Sequence, residues 1–182
     1  MADTQGTWQF DPYHTQVEFT AKHLGMMTVR GLFTDIAASG TIDPDHPEAS
    51  SVDVTIQTAS VKTHHAGRDS DLRTSNFLET DTYPTMTFKS TNIATTGENT
   101  YAVTGDLTIK GVTKPITLAV TKYGEFNDPR MGHRIGYSAQ VEINRKDFGM
   151  TFNALMDGKW IVSDEIKINI EGEFVEQVPA AS

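Results

Sequence analysis

The segment IGYSAQVEIN at residues 135–144 alternates between apolar and polar side chains with a period of two. Its apolar members are Ile135, Tyr137, Ala139, Val141 and Ile143. Successive side chains of an extended chain point to opposite faces, so these five share one face. The segment is therefore predicted to be an antiparallel strand with one side toward a core and one side toward water.

The same period recurs through most of the chain. The other apolar sets are Val17 and Phe19; Val52, Val54 and Ile56; Tyr101, Val103, Leu107 and Ile109; Ile116, Leu118 and Val120; and Ile166, Ile168, Ile170 and Phe174. Two weaker strands are predicted over residues 29–42, with Gly31 and Gly40 as bend points, and over residues 85–93. Helical periodicity is confined to about residues 66–77, where Leu72 and Phe77 are expected to face the core.

About eight antiparallel strands without a second layer of helices must protect their edges. Closure into an up-and-down barrel does so completely, and a two-sheet sandwich is the alternative. We therefore predict an all-β fold, an antiparallel barrel with a short helix, formed by a single domain over residues 1–182. A barrel of this size is either filled by side chains or holds one small ligand, and its interior is predicted to be apolar.

Composition excludes several classes of function. The chain has 24 acidic residues against 15 lysines and arginines, a formal net charge of -9, which repels nucleic acid and anionic membranes. It has no cysteine, which excludes disulfides and thiolate chemistry. The start of the sequence has no signal-peptide pattern, and no run reaches the roughly 18 apolar residues of a membrane span. We expect a soluble cytoplasmic protein, or a periplasmic or secreted one if a precursor has been trimmed.

Four segments resemble, in order, the successive motifs of the YceI family. They are WQFDPYHTQVEFTAKHLGMMTVRGLF at residues 8–33, RDSDLRTSNFLETDTYPTMTFKS at 68–90, VTGDLTIKGVTKPITL at 103–118 and INRKDFGM at 143–150. The resemblance implies a lipocalin-like barrel that carries a polyisoprenoid in an apolar tunnel. It also implies a homodimer without catalysis, cofactor or metal.

On this basis we predict a carrier for a long isoprenoid, such as a prenylated quinone or a prenyl phosphate. The predicted lining combines inward strand positions with the methionine-containing loops, because methionine adapts to irregular apolar surfaces. The predicted lining residues are Phe19, Met26, Met27, Phe33, Phe88, Tyr137, Phe148, Met150 and Trp160.

The segment THHAGRDSDLRTSNFLETDTYP at residues 63–84 concentrates histidines, arginines and acids. Three hypotheses apply to it. Adjacent histidines on a strand point to opposite faces, so a metal site at His64 or His65 would need additional ligands such as Asp69. A structural clasp, in which Arg68 and Asp69 hold a short helix over one barrel end, is favoured. In the third hypothesis Arg68 or Arg145 binds an anionic head group such as a diphosphate.

Motifs for catalysis are missing from the sequence. There is no G-x-S-x-G elbow, no phosphate-binding glycine loop and no histidine beside an evident serine partner. Two alternatives to the carrier stay open: a lipid-modifying or metal-dependent enzyme that uses His64, His65 or His133, and a stress-related interaction protein whose barrel is filled by side chains.

Overall fold

The computed structural model describes residues 6–43 and 45–177. Its strands are β1 Gly6–Phe10, β2 Gln16–His23, β3 Met27–Phe33, β4 Ile36–Ile42, β5 Ser51–Gln57, β6 Val61–Lys62, β7 Thr85–Gly97, β8 Thr100–Ile109, β9 Val112–Asp128, β10 Gly132–Asn144, β11 Leu155–Met156, β12 Lys159–Trp160 and β13 Glu165–Gln177. One α-helix, α1, spans Ala66–Leu72, and 3-10 turns occupy Pro47–Ala49, Thr58–Ser60 and Arg145–Phe148. Across the described residues, no helix is both long and apolar enough to cross a bilayer.

Eleven of the strands form a closed antiparallel barrel, and β11 and β12 pair with each other in a separate two-stranded sheet. We call each position around the barrel a stave, whether one strand or two strands in line occupy it. Three staves consist of two strands in line, because β1 with β2, β3 with β4, and β5 with β6 each continue in one direction. The last strand, β13, pairs with β10 on one edge and with β2 and β1 on the other. This last pairing closes the ring at eight staves, so the barrel prediction is confirmed and the sandwich alternative is wrong.

The alternating strand directions define two ends of the barrel. The helix end carries the turn at residues 24–26, the segment 63–84 with α1, and residues 145–164. The terminal end carries Asp43, residues 45–50 and the turn 129–131, and the outer ends of β1 and β13 lie there. The predicted helix is present but shorter than expected, and Leu72 and Phe77 face the interior as predicted.

Gly31 and Gly40 lie within β3 and β4, and strand pairing runs through both residues without a register shift, so their role as bend points stays a prediction. The predicted strand 29–42 is interrupted at Thr34 and Asp35, whose backbone N–H groups both donate to the Ser60 hydroxyl at 3.1 Å. Each glycine allows a close approach. A Cβ at Gly31 would overlap the ring of Phe19, and a Cβ at Gly40 would overlap a backbone carbonyl of β5.

Two-residue turns join β8 to β9 in the barrel and β11 to β12 in the separate two-stranded sheet. Lys110 and Gly111, between β8 and β9, have φ values of 50° and 71°. Asp157 and Gly158, between β11 and β12, have φ values of 47° and 72°. Two left-handed residues in succession form the two-residue turn whose twist matches that of the flanking strands.

Candidate ligand cavity

An elongated apolar cavity of about 350 Å³ occupies the barrel interior. Its wall runs from Leu72 and Phe77 under the helix end to Thr41 and Ser51 at the terminal end. Between them lie inward-facing valines, leucines and isoleucines of the long strands, as the two-residue period predicts. The volume lies within the range of small-molecule sites.

Five of the nine predicted lining residues lie on the cavity wall: Phe19, Phe33, Phe88, Tyr137 and Met150. The rings of Phe19 and Phe33 are 5.6 Å apart across β2 and β3, and Tyr137 contacts Phe174 edge to face. Their contact with a ligand stays a prediction.

The other four predicted residues do not line the cavity, and the prediction is corrected for them. Met26 and Met27 follow the left-handed turn at residues 24–25 and are 59% and 66% exposed. Trp160 lies on the β11–β12 hairpin and is 59% exposed. Phe148 is buried, but it packs in the hydrophobic core beside the cavity. All four lie in or beside turns, where strand alternation does not determine the direction of a side chain.

Arg68 and Asp69 both hold Thr63, a buried residue just before α1. The Asp69 carboxylate accepts hydrogen bonds from the Thr63 backbone N–H, at 2.8 Å, and from the Thr63 hydroxyl. Arg68 donates from Nε to that hydroxyl and from Nη2 to the Thr63 carbonyl, each at 2.7 Å. The bonds from Thr63 hold the pKa of Asp69 below its usual range. This geometry favours the clasp hypothesis, because both side chains are committed to the chain that enters the helix.

We expect Asp69→Asn to lower the free energy of unfolding by about 1–2 kcal/mol at neutral pH, because the charge-assisted bonds to Thr63 are weakened. Since folding lowers the pKa of Asp69, this stabilisation is present above the unfolded-state value near 4 and is lost as the pH falls through the folded-state value. The difference in the free energy of unfolding between the wild type and the Asp69→Asn variant should therefore become smaller in acid. Urea titrations at neutral pH and at acid pH test this, with the exposed Asp71→Asn variant as the control. An equal loss for both variants would contradict the clasp.

The paired histidines do not converge. His65 is the N-cap of α1, and its Nδ1 accepts a hydrogen bond from the Arg68 backbone N–H at 3.1 Å. His64 is exposed, with a left-handed φ of 61°. Because the His65 lone pair is engaged in capping, this pair offers little to a metal ion.

Arg145 is buried at the helix end, only 1% exposed, at the start of a 3-10 turn. It donates to the carbonyls of Met150, Phe152 and Ser163 at 2.6, 2.8 and 3.0 Å, and Nη2 lies 3.2 Å from the Asp164 carboxylate. A guanidinium engaged on all three nitrogens has little left for a head group. This geometry favours a structural role for Arg145.

Polar side chains gather in the cavity near the terminal end, on three adjacent strands. Tyr101 of β8, Lys122 of β9 and Tyr137 of β10 all line the cavity. Lys122 lies directly opposite Tyr137, and Tyr101 lies opposite Val120. Sequence reasoning missed Lys122, although it continues the inward set of Ile116, Leu118 and Val120 at the same period of two.

A charged network adjoins these residues. Lys122 Nζ lies 2.6 Å from Glu125, and the two ring nitrogens of His133 lie 2.6 Å from Glu125 and 2.8 Å from Glu176. Ionised carboxylates only accept, so an imidazole between two of them favours the doubly protonated form. Burial lowers the pKa of His133, but the bonds to Glu176 and Glu125 outweigh it and raise that pKa above its ordinary value. The buried ring of Trp8 packs edge to face on His133.

One further cluster has the composition of a metal site. Within residues 6–43 and 45–177, ligand atoms of Asp11, His14 and Glu173 lie within 4.8 Å of one another. Arg134 Nη1 already lies 2.6 Å from Asp11 and 2.9 Å from Glu173. Hydrogen bonds from His14 and Arg134 hold the pKa of Asp11 well below its usual range. The cluster is therefore an ion-paired network with its own cation.

A closed eight-stave antiparallel barrel around an apolar cavity is the architecture of lipocalin-like β-barrels. Residues 8–174 match the model of the YceI-like domain, and the chain belongs to that family. It is 41% identical over 159 residues to a UPF0312 protein of Ectopseudomonas mendocina, an alignment that covers 87% of this chain and 82% of the relative.

Several solved structures share the fold. BcnA of Burkholderia cenocepacia superposes with a TM-score of 0.80 at 27% identity, over 90% of this chain and 98% of that one. A polyisoprenoid binding domain from Saccharophagus degradans superposes with a TM-score of 0.67, over 93% of this chain and 98% of that one. At 16% identity, the second likeness concerns the fold alone.

Proposed function

We propose that this protein is a non-catalytic carrier that holds a long isoprenoid, such as a prenylated quinone, inside its barrel. The observation that carries the proposal is the elongated apolar cavity, which extends between the two ends of the barrel. Family membership supports it, as does the common fold with a polyisoprenoid binding domain. The cavity also argues against the alternative of a barrel filled by side chains.

The shape and chemistry of the wall suit a chain molecule. Val54, Val103, Leu118 and Ile168 come from different strands and present branched aliphatic groups to the same space. Burial of apolar surface is favourable by about 25 cal/mol per Å², or roughly 0.8 kcal/mol per CH2. A branched hydrocarbon chain therefore gains affinity with every carbon that leaves water, without needing a directional contact.

Affinity for prenyl compounds is expected to rise at least tenfold with each added isoprene unit until the cavity is full, and then to level off. Even partial burial of five carbons at roughly 0.8 kcal/mol each exceeds the 1.4 kcal/mol that a tenfold change requires. Competition binding with a series of prenols of increasing length measures this. Native mass spectrometry of the purified protein should also show a co-purified lipid and, as the family resemblance implies, a homodimer.

A matched pair of variants assigns the binding to the cavity. Ala139 lines the cavity, and its neighbour Gln140 is exposed on the same strand. Ala139→Trp should abolish binding of the long prenols by filling the cavity, whereas Gln140→Trp should leave it unchanged. Thermal denaturation reports whether each variant is folded. Affinity that is independent of chain length, or equal in a folded Ala139→Trp protein, would refute the carrier proposal.

A further inference from the structure

We infer that the helix end of the barrel docks onto the surface of a zwitterionic lipid bilayer through a group of exposed apolar side chains. These are Met26 and Met27 at the turn after β2, and Leu155, Met156 and Trp160 on the β11–β12 hairpin. We call this group the apolar tip. The docking surface is independent of the proposed carrier function, but its use, the collection of an isoprenoid from a membrane, rests on that function.

Exposed apolar side chains are distributed unevenly over the described residues. Ten large ones are exposed, and six of them, the apolar tip and the neighbouring Phe152, lie at the helix end. Single exposed apolar residues need no explanation, but a group on one surface marks a site for a protein or a membrane. Each residue of the apolar tip is more than half exposed, so packing in the core does not account for it.

Backbone contacts hold the two turns of the apolar tip side by side. The Leu24 N–H donates to the Ile161 carbonyl at 3.1 Å. His23 and Val162 form an antiparallel bridge beside this bond. The end of β2 is therefore attached to the chain that leaves the hairpin, and both turns project from the same part of the barrel rim.

The side chains of the hairpin suit a lipid interface. Leu155 lies directly opposite Trp160, so the two share one face of the hairpin. An indole ring has an apolar body with one polar N–H, which suits the boundary between acyl chains and head groups. Methionine adapts to irregular apolar surroundings, and the stem of Lys159 can lie along them with its ammonium in water. Two projecting turns, rather than a flat face, fit a deformable partner.

The charge around the apolar tip suits a zwitterionic surface. Residues 22–28 and 145–165 together contain four lysines and arginines and four acidic residues, whereas the whole chain has a net charge of -9. The excess of acids therefore lies elsewhere in the chain. A balanced surface approaches phosphatidylcholine without net repulsion, and the burial of apolar side chains then provides the free energy of docking.

The apolar tip adjoins the cavity. Ala21 of β2 lines the cavity wall, and so does Val162, two residues beyond Trp160. Docking through the apolar tip places this end of the cavity against the bilayer, the phase in which a long isoprenoid dissolves. A carrier oriented in this way exchanges its ligand with the membrane over a short path.

The two tryptophans of the chain allow a direct test. Trp160 belongs to the apolar tip, whereas Trp8 is buried within β1. When phosphatidylcholine vesicles are added, we expect the tryptophan emission to move to shorter wavelength and brominated acyl chains to quench it. Trp160→Phe should abolish both signals, because the remaining indole does not reach the lipid.

A matched pair of methionine variants assigns the binding to the helix end. Met156 in the apolar tip is 58% exposed, and Met131 at the terminal end is 54% exposed. Met156→Ser should lower the affinity for phosphatidylcholine vesicles about five- to tenfold in sedimentation assays, whereas Met131→Ser should leave it unchanged. Both variants should keep the wild-type Tm, because neither side chain is part of the core.

Several outcomes would overturn the docking. They are no binding of the wild type to phosphatidylcholine vesicles, an equal loss in both methionine variants, and binding confined to anionic vesicles and abolished by salt. A dimer that Met156→Ser dissociates would also overturn it, because a second copy would then cover the apolar tip. Prenol affinity, measured without vesicles, separates the two proposals. If prenols bind but vesicles do not, only the docking falls; if vesicles bind but prenols do not, the carrier falls and the docking stands.

Discussion

Arg145→Ala is expected to lower the free energy of unfolding by about 3–5 kcal/mol, the range for removing one partner of a buried charged contact. The guanidinium is 1% exposed and joins the carbonyls of Met150, Phe152 and Ser163 to Asp164. Its removal leaves the buried Met150 carbonyl and the part-buried Phe152 and Ser163 carbonyls without their donor and opens a cavity beneath residues 145–164. Chemical denaturation followed by circular dichroism measures the loss.

The adjacent Lys146 provides the control. Its ammonium lies 2.7 Å from the same Asp164, but its side chain is 48% exposed. An exposed ion pair contributes at most about 1 kcal/mol, so Lys146→Ala should change stability little. If Arg145→Ala were as stable as Lys146→Ala and had lost binding of a prenyl diphosphate, Arg145 would be a head-group residue, and the structural role argued here would be wrong.

Gly40→Ala is the second substitution with a large expected effect, a loss of about 3 kcal/mol in the free energy of unfolding. Gly40 lies opposite Trp8 of β1 and Val52 of β5. An added Cβ would overlap the Ser51 carbonyl oxygen and lie 3.3 Å from the Val52 Cα. Because these are backbone atoms, relief requires β4 and β5 to separate at the terminal end.

Gly136→Ala is the matched substitution on β10, since a Cβ there would meet no atom within 4 Å. It should leave stability unchanged or raise it by up to about 1 kcal/mol, because alanine restricts the unfolded chain. Thermal denaturation of both variants tests the contrast. A Gly40→Ala protein with the same Tm as the wild type would contradict this prediction. It would show that β4 and β5 can separate without loss of stability.

Strand alternation was sufficient to predict the barrel, because a two-residue period determines which face of each strand is buried and eight such strands need a closed edge. The interruption at Thr34 and Asp35 could not be predicted from the local sequence. It depends on the hydroxyl of Ser60, which folding brings to both backbone N–H groups. Interactions between distant parts of the chain thus decided where that stave is divided.

The predicted residues on strands lie on the cavity wall, whereas of those in or beside turns only Met150 does. Phe19, Phe33, Phe88 and Tyr137 obey the period, whereas Met26, Met27 and Trp160 belong to turns that project into solvent. The tight turns there depend on left-handed residues, and their direction relative to the barrel is set by packing rather than by local pattern.

Lys122 was missed for a different reason, because the barrel interior was predicted to be apolar and a lysine was not considered as part of its wall. In the structure, a bulge in β9 allows the inward-facing Lys122 to pair with a carboxylate. The register of β9 against β10 shifts between Gly136 and Tyr137, so that Lys122 pairs with Tyr137 and Glu125 pairs with Ile135. The extra residue places two positions three apart on the same inner face, and Lys122 is thereby paired with its own carboxylate.

The closure of the barrel also constrains how the protein is made. Thr7 pairs with Gln177 and Phe10 with Phe174, so the pairing of β1 with β13 joins the earliest and the latest parts of the described chain. During synthesis the first staves can form hairpins as they leave the ribosome, but the ring cannot close until β13 has emerged. Until then the future cavity wall is an open apolar surface with free strand edges, the condition under which β proteins aggregate. We therefore expect the barrel to close only once β13 has left the ribosome, in a slow step dominated by long-range pairing.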